Sequence, residues 1–329
     1  MRLGCLRLLG LFVGLFLLMA CQPLLQQELD EYASRLGNII QQRPPTFESP
    51  PPLSLPAKQS YQAAEASIKL SEFYALRHCR LYSLVAERNT ALGKLQGLSQ
   101  RYIYEQKLLS AIQECLMNTS DPDLITRLSK WQAAKYQGVI PLWSALLDDN
   151  ELRSSLAGTR QQQMPETALL DSSRAALDYL ISIAPQSNSI QSEQLEQYLQ
   201  VLHQGQLPAR WFQTRRILTA YLQTLTPWLE SQPISCRPPE TSEYLRNVFA
   251  LFFIEKIQPI AGQLAHYQYE LAPRLHQLYA HGPKSMQDWL AERDAEQQAF
   301  ALALQSHVNW WQALFKQCKL SLPSHRHTP

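Results

Sequence analysis

Six cysteines carry the most specific chemistry in this chain. Cys21 closes the string Leu18-Met19-Ala20-Cys21, behind an uncharged apolar stretch from Leu8 to Ala20 and two basic residues, Arg2 and Arg7. A small residue before a cysteine, with leucine three positions upstream of it, is the pattern of a bacterial lipobox. There a signal peptide is cut, the thiol takes a diacylglycerol, and the new amine is usually acylated. The apolar stretch falls short of the ~20 residues of a spanning helix, which suits a signal peptide. Several acyl chains, at ~0.8 kcal/mol per buried methylene, hold a protein far better than one. Gln22 stands where aspartate would resemble an inner-membrane retention signal. The expected place is therefore the outer membrane, with Cys21 lipid-anchored and the body on the periplasmic side of a Gram-negative envelope. An ordinary signal peptide or a short uncleaved anchor is the alternative.

Cys5 leaves with the signal peptide, so Cys79, Cys115, Cys236 and Cys318 remain. Four cysteines in an oxidising compartment read as two disulfides with three possible connectivities. No pair has the short spacing of a zinc site, and no metal or cofactor is expected. Free buried thiols are the alternative. Cys79 lies about 16 residues before a turn at Gly93 to Gly97 and Cys115 about 20 after it. At 1.5 Å per residue those depths differ by only ~6 Å across antiparallel helices. The pairing expected is Cys79 with Cys115 and Cys236 with Cys318, the first worth ~4 kcal/mol in the chain-entropy treatment.

The same turn gathers Glu87, Arg88, Asn89, Arg101 and Glu105. Arg88 and Arg101 could act as forked donors to a carboxylate or amide ligand. An ion-pair and capping network that fixes the turn is the preferred reading. Of the eight histidines, His266, His276 and His281 share one stretch without an HExxH, and His325 and His327 sit in the tail. There is no GxSxG and no phosphate-binding loop. Asp148 and Asp149 are adjacent and point apart on a helix. Trp211-Phe212, Trp228, Trp289 and Trp310-Trp311 could line a glycan or peptide groove, but aromatics at helical spacing more often build core. No catalytic residue is assigned.

What positions these groups is helix. Glycine is only 11 of 329 residues, leucine and glutamine abound, and valine is scarce. Net charge is +2 over the whole chain, and losing residues 1–20 removes two arginines and no acid. The balanced remainder has no excess charge to draw nucleic acid. Leu25, Leu29, Tyr32, Leu36 and Ile39 form one stripe on a helix expected to pack on the body. Six prolines between 43 and 57 enforce an extended segment, either a spacer from the membrane of up to ~45 Å or a strap over the body. A long helix is predicted over 58–89 and a second from an N-cap at Ser99. Further helices start at Asp121-Pro122, Pro165, Ser192 and Pro208, with a break near Gly138 and Pro141 and a kink at Pro227. The stretch Thr241–His281 should be interrupted at Pro259 and Pro273. Its run Val248 to Ile254 is apolar all round, which predicts a central buried helix. Ser285 and Asp288 resemble a capping box for a last helix reaching Cys318. No solenoid period appears.

Leu76-Arg77-His78-Cys79, Leu84-Val85-Ala86-Glu87-Arg88-Asn89, Leu92-Gly93-Lys94, Ser99-Gln100-Arg101 and Tyr104-Glu105 together resemble a family of uncharacterised bacterial lipoproteins, domain of unknown function 3080. The resemblance is strongest over 70–117, and the lipobox, the proline-rich segment and the length fit the whole mature chain. It implies an envelope lipoprotein and supplies no activity, substrate or catalytic residue.

The expected fold is all-α, an irregular multi-helix bundle of antiparallel hairpins with an extended proline-rich N-terminal segment. Its parts are a lipoprotein signal peptide (1–20), a lipidated N-terminal helix (21–42), a proline-rich linker (43–57), one helical domain (58–320) and a flexible tail (321–329). The expected role is binding or scaffolding for an envelope protein or peptidoglycan. An envelope hydrolase acting on glycan and a carrier of an apolar ligand in an inter-helix cavity are the rivals.

Overall fold

The computed structural model describes residues 24–60, 68–90, 95–158, 164–185 and 194–321. The lipobox with Cys21, the turn glycine Gly93, Ser192, His325 and His327 lie outside them. Among the described residues the architecture is all-α, a multi-helix bundle with no strand.

The N-terminal helix α1 (Leu24–Ile40) puts Leu25, Leu29, Tyr32 and Leu36 into the main core. It ends where the chain doubles back, with the Gln42 N–H donating to the Gly37 carbonyl at 3.0 Å. A Cβ on Gly37 would stand 2.7 Å from the Gln42 carbonyl oxygen and 2.8 Å from Pro44, so only glycine fits this reversal. The proline-rich segment then runs extended along the body as a strap. Proline carbonyls can only accept, and the body supplies the donors. Gln213 Nε2 reaches the Pro50 carbonyl at 3.1 Å, Arg216 Nη1 that of Pro51 at 2.8 Å, and Trp289 Nε1 that of Ser54 at 2.8 Å. Arg153 holds the Pro56 carbonyl, and the Gln59 N–H donates to Asp148 at 2.7 Å. Leu53 is buried beneath. Losing one such bond costs ~1 kcal/mol, a factor of about 5 in local opening. Trp289→Phe should therefore speed amide exchange at residues 53–55 by about 5-fold, read by hydrogen–deuterium exchange; unchanged exchange would mean that the indole does not hold the strap.

The helix predicted over 58–89 is instead two short ones within its described part, α2 (Leu70–Ala75) and α3 (Leu81–Arg88), separated by a turn. Leu76 and Leu81 are both buried in one small cluster. Five residues apart on a continuous helix they would diverge by ~140°, so the break lets both face inward. Helix α4 (Leu98–Asn118) starts from Gly97, not from Ser99, whose hydroxyl instead bonds Glu196. Helix α5 (Pro122–Leu147) starts from Asp121, whose carboxylate accepts the N–H groups of Asp123 and Leu124. It runs through Gly138 and Pro141, where a break was expected. Val139, Leu142, Trp143, Leu146 and Leu147 are buried on its far half, and that burial outweighs the lost proline hydrogen bond. Helices α4 and α5 form the tightest antiparallel hairpin.

The rest of the body follows as α6 (Asn150–Leu156), α7 (Leu170–Ser182) and α8 (Leu195–Gly205). Then come α9 (Leu207–Glu230), which passes through Pro227, and α10 (Pro239–Val248). A π-helical stretch, Phe249–Ile257, continues directly into α11 (Gln258–Tyr279). Pro273 does not interrupt α11, and Pro259 only marks the exit from the π turn. By length and composition Pro239–Tyr279 is long and apolar enough to cross a membrane, but Leu245, Phe249, Phe253, Leu264 and Leu271 are buried in the body. Helix α12 (Lys284–Cys318) begins after Pro283; Ser285 does not cap it, and Asp288 pairs with Lys284 instead.

The predicted central segment, Val248 to Ile254, is not central. The π stretch is covered by α1 on one side and by Trp311, Phe315 and His307 of α12 on another, leaving Leu251 50% exposed. The most deeply buried helix is α9, which has no exposed residue from Leu207 to Leu222. It carries Trp211, Phe212, Leu218 and Leu222 inward and also buries Arg210, Gln213, Thr214, Arg215 and Thr226. Both cysteine pairs stand at disulfide distance, with Cα separations of 5.4 Å for Cys79–Cys115 and 5.3 Å for Cys236–Cys318.

Candidate functional site

Of the five polar residues predicted to gather at the hairpin turn, Arg88, Arg101 and Glu105 meet around Tyr104. Arg101 Nε lies 3.2 Å from Glu105, and Lys135 of α5 closes on the same carboxylate at 2.8 Å. The Arg88 guanidinium sits over the Tyr104 ring, 5.9 Å from its centre. The Tyr104 hydroxyl donates to the Leu84 carbonyl at 3.3 Å. Burial pushes that phenol up to about 12, with the Glu105 charge beside it adding to the shift. Glu87 and Asn89 are exposed at the end of α3, where their backbones close the helix. Glu105 is thus satisfied by two cations, and the cluster ties α4 to α5. Arg88 Nη1, buried and without a partner, is its one spare forked donor among the described residues. Lys135 was not legible beforehand, because it lies thirty residues from Glu105 and meets it only through the α4–α5 crossing.

Two grooves of about 640 Å³ open on the body. The first lies between α1, the start of the strap and α9, lined by Leu25, Asp30, Arg43, Phe47, Thr214 and Ile217 among others. The second runs beside the Cys236–Cys318 pair, where Trp310, Glu230 and Ile234 meet. Each lining holds one carboxylate, whereas acid–base glycoside hydrolysis uses two. Of the aromatic residues singled out from the sequence, Trp211, Phe212, Trp289 and Trp311 are core, while Trp228 and Trp310 are half-buried.

Two buried polar networks centre on α9. His307 is fully buried: Tyr32 lies 2.8 Å from Nε2 and Thr226 2.9 Å from Nδ1. The Trp311 indole donates to the Tyr32 oxygen at 2.8 Å, so the phenol hydrogen points to Nε2 and the Nδ1 hydrogen to Thr226. Burial drives the imidazole down to about 3. Its native form is therefore neutral, whereas the unfolded chain takes a proton below about 6.5. Stability is full above that value and falls as pH drops toward 3, by up to ~1.4 kcal/mol per pH unit. In urea titrations at pH 6.5 and 4.5, the stability gap between wild type and His307→Asn should shrink at the lower pH. A constant gap would contradict the buried neutral ring.

The second network is Arg215, which donates to Gln268 at 3.0 Å, Gln297 at 3.1 Å and the Arg293 carbonyl at 2.7 Å. It stacks on Trp211 and Phe212, 5.3 Å from each ring. Glu296 lies among Arg215, Arg216 and Arg293. Both buried groups fall on apolar stripes, His307 with Phe300, Ala303, Trp311 and Leu314, and Arg215 with Trp211, Leu218 and Leu222. That placement is the signal that could have found them. Among the described residues no group of histidine, cysteine and carboxylate side chains is arranged to hold a metal ion.

No curated protein and no solved structure matches the chain. The sequence profile of a family described as protein of unknown function, DUF3080, matches residues 29–322. That span takes in all of α1 but its first five residues, the strap and every helix through α12, so the chain belongs to the DUF3080 family.

Proposed function

We propose that this chain is a lipid-anchored protein of the outer membrane, facing the periplasm, that works by binding another component of the envelope. The observation that carries the reading is the placing of α1. Its first residue, Leu24, is three residues beyond Cys21, a reach of at most ~11 Å. Leu25 is already core. A lipid on Cys21 would hold the body directly against the leaflet. The proline segment, pinned along the body by its carbonyls, does not act as a spacer. This favours a partner in or on the membrane, another envelope protein, over peptidoglycan at a distance. The hydrolase reading gains no support from either groove lining.

Intact-mass analysis of the chain recovered from its own envelope tests the anchoring. The expected result is an N-terminus at Cys21 carrying a diacylglycerol and an amide-linked acyl chain. An unmodified Cys21, or a cut elsewhere, would overturn it.

A further inference from the structure

We infer that the groove between α1, the strap and α9 takes the phosphate-bearing head and first chain segment of a phospholipid drawn from the adjacent leaflet. The groove's volume of about 640 Å³ lies inside the ~300–1,000 Å³ of small-molecule sites. Its apolar lining comes from Leu25 and Ala33 of α1, Phe47 of the strap, Met164, and Ile217 of α9. Among the described residues Arg43 is the only cation in that lining, exposed and without an ion pair, and Asp30 is the only anion, held by the Gln26 amide at 2.9 Å.

The two charges are set apart along the groove. Arg43 follows the reversal at Gly37, while Asp30 lies seven residues earlier on α1, ~10 Å along its axis. A cation and an anion flanking apolar walls match a zwitterionic phosphate–ammonium head, phosphate toward Arg43 and ammonium toward Asp30. The leaflet as the lipid's source rests on the anchoring proposed above; the charge pattern does not.

The test reconstitutes the full acylated chain in phosphatidylcholine vesicles doped with phosphatidylethanolamine that carries a photoactivatable acyl chain. After irradiation, cross-links should concentrate on peptides bearing Leu25, Phe47 and Ile217. Arg43→Glu, an exposed change that spares the core, should lower their yield about 10-fold, as loss of a charge-assisted contact does. Ile217→Trp, which fills the groove, should abolish them. Cross-links scattered over the surface, groove cross-links unchanged in Arg43→Glu, or equal labelling by a photoactivatable diacylglycerol with no phosphate would each overturn the inference. A chain that carries no lipid and does not float with the vesicles would sink the anchoring instead. The same labelling with monomeric photoactivatable lysophosphatidylethanolamine in solution then decides the groove on its own.

Discussion

Replacing Cys236 and Cys318 together by alanine should destabilise the protein by about 4.5 kcal/mol. The two cysteines are 82 positions apart in sequence, and the chain-entropy treatment gives ~4.5 kcal/mol for a loop of that length, against ~3.8 kcal/mol for the separation of 36 between Cys79 and Cys115. The bond joins the segment before α10 to the last residue of α12, so it also holds the two ends of the α10–α12 layer together. At ~2–4 °C per kcal/mol the melting temperature should fall by roughly 10 °C or more. The Cys79/Cys115 double variant should fall less, and its loss should centre on the small cluster of α2, α3, α4 and the start of α5. Thermal unfolding under oxidising conditions, wild type against both double variants, reads the difference. Equal losses would mean that loop length is not what the bonds constrain.

Arg215→Ala should cost ~3–5 kcal/mol. Three acceptors, Gln268, Gln297 and the Arg293 carbonyl, lose their donor, and a cavity opens against Trp211 and Phe212. The charge itself is a cost: burial pulls the guanidinium down to about 10, only partly opposed by Glu296, although it still carries its proton at neutral pH. Arg215→Met keeps the stem and discards the charge. It should therefore lose only ~1–2 kcal/mol, because the glutamines can turn to other partners and Glu296 keeps Arg216 and Arg293. Urea unfolding of the two variants separates packing from charge. Methionine as damaging as alanine would show that the hydrogen bonds, not the packing, dominate.

The all-helical class was legible because composition reports propensity summed over many residues. Spacing from the turn pointed to the Cys79–Cys115 pair, although Cys79 stands in the break between α2 and α3 and not on a continuous helix. The capping aspartate Asp121 and the stripe on α1 were legible for the same local reason. What stayed hidden depended on tertiary packing. Pro141 and Pro273 do not break their helices, because buried neighbours repay a lost hydrogen bond. Leu76 and Leu81 divide a helix to reach one cluster. The central helix was sought by all-round apolarity and found instead in α9, whose buried Arg210, Gln213 and Arg215 each donate to a partner on another element. At the hairpin turn, Arg101 and Glu105 were visible as an i, i+4 pair, but Lys135 arrives from α5. The strap's donors, Gln213, Arg216, Trp289 and Arg153, are likewise spread over three helices, so sequence left spacer and strap equally open.

The most direct test of a leaflet-held binding protein is in-cell crosslinking followed by pull-down and mass spectrometry, wild type against Cys21→Ala. One dominant envelope partner, lost when Cys21 cannot be acylated, is the result predicted here. A partner profile at background, or one identical in Cys21→Ala, would contradict it.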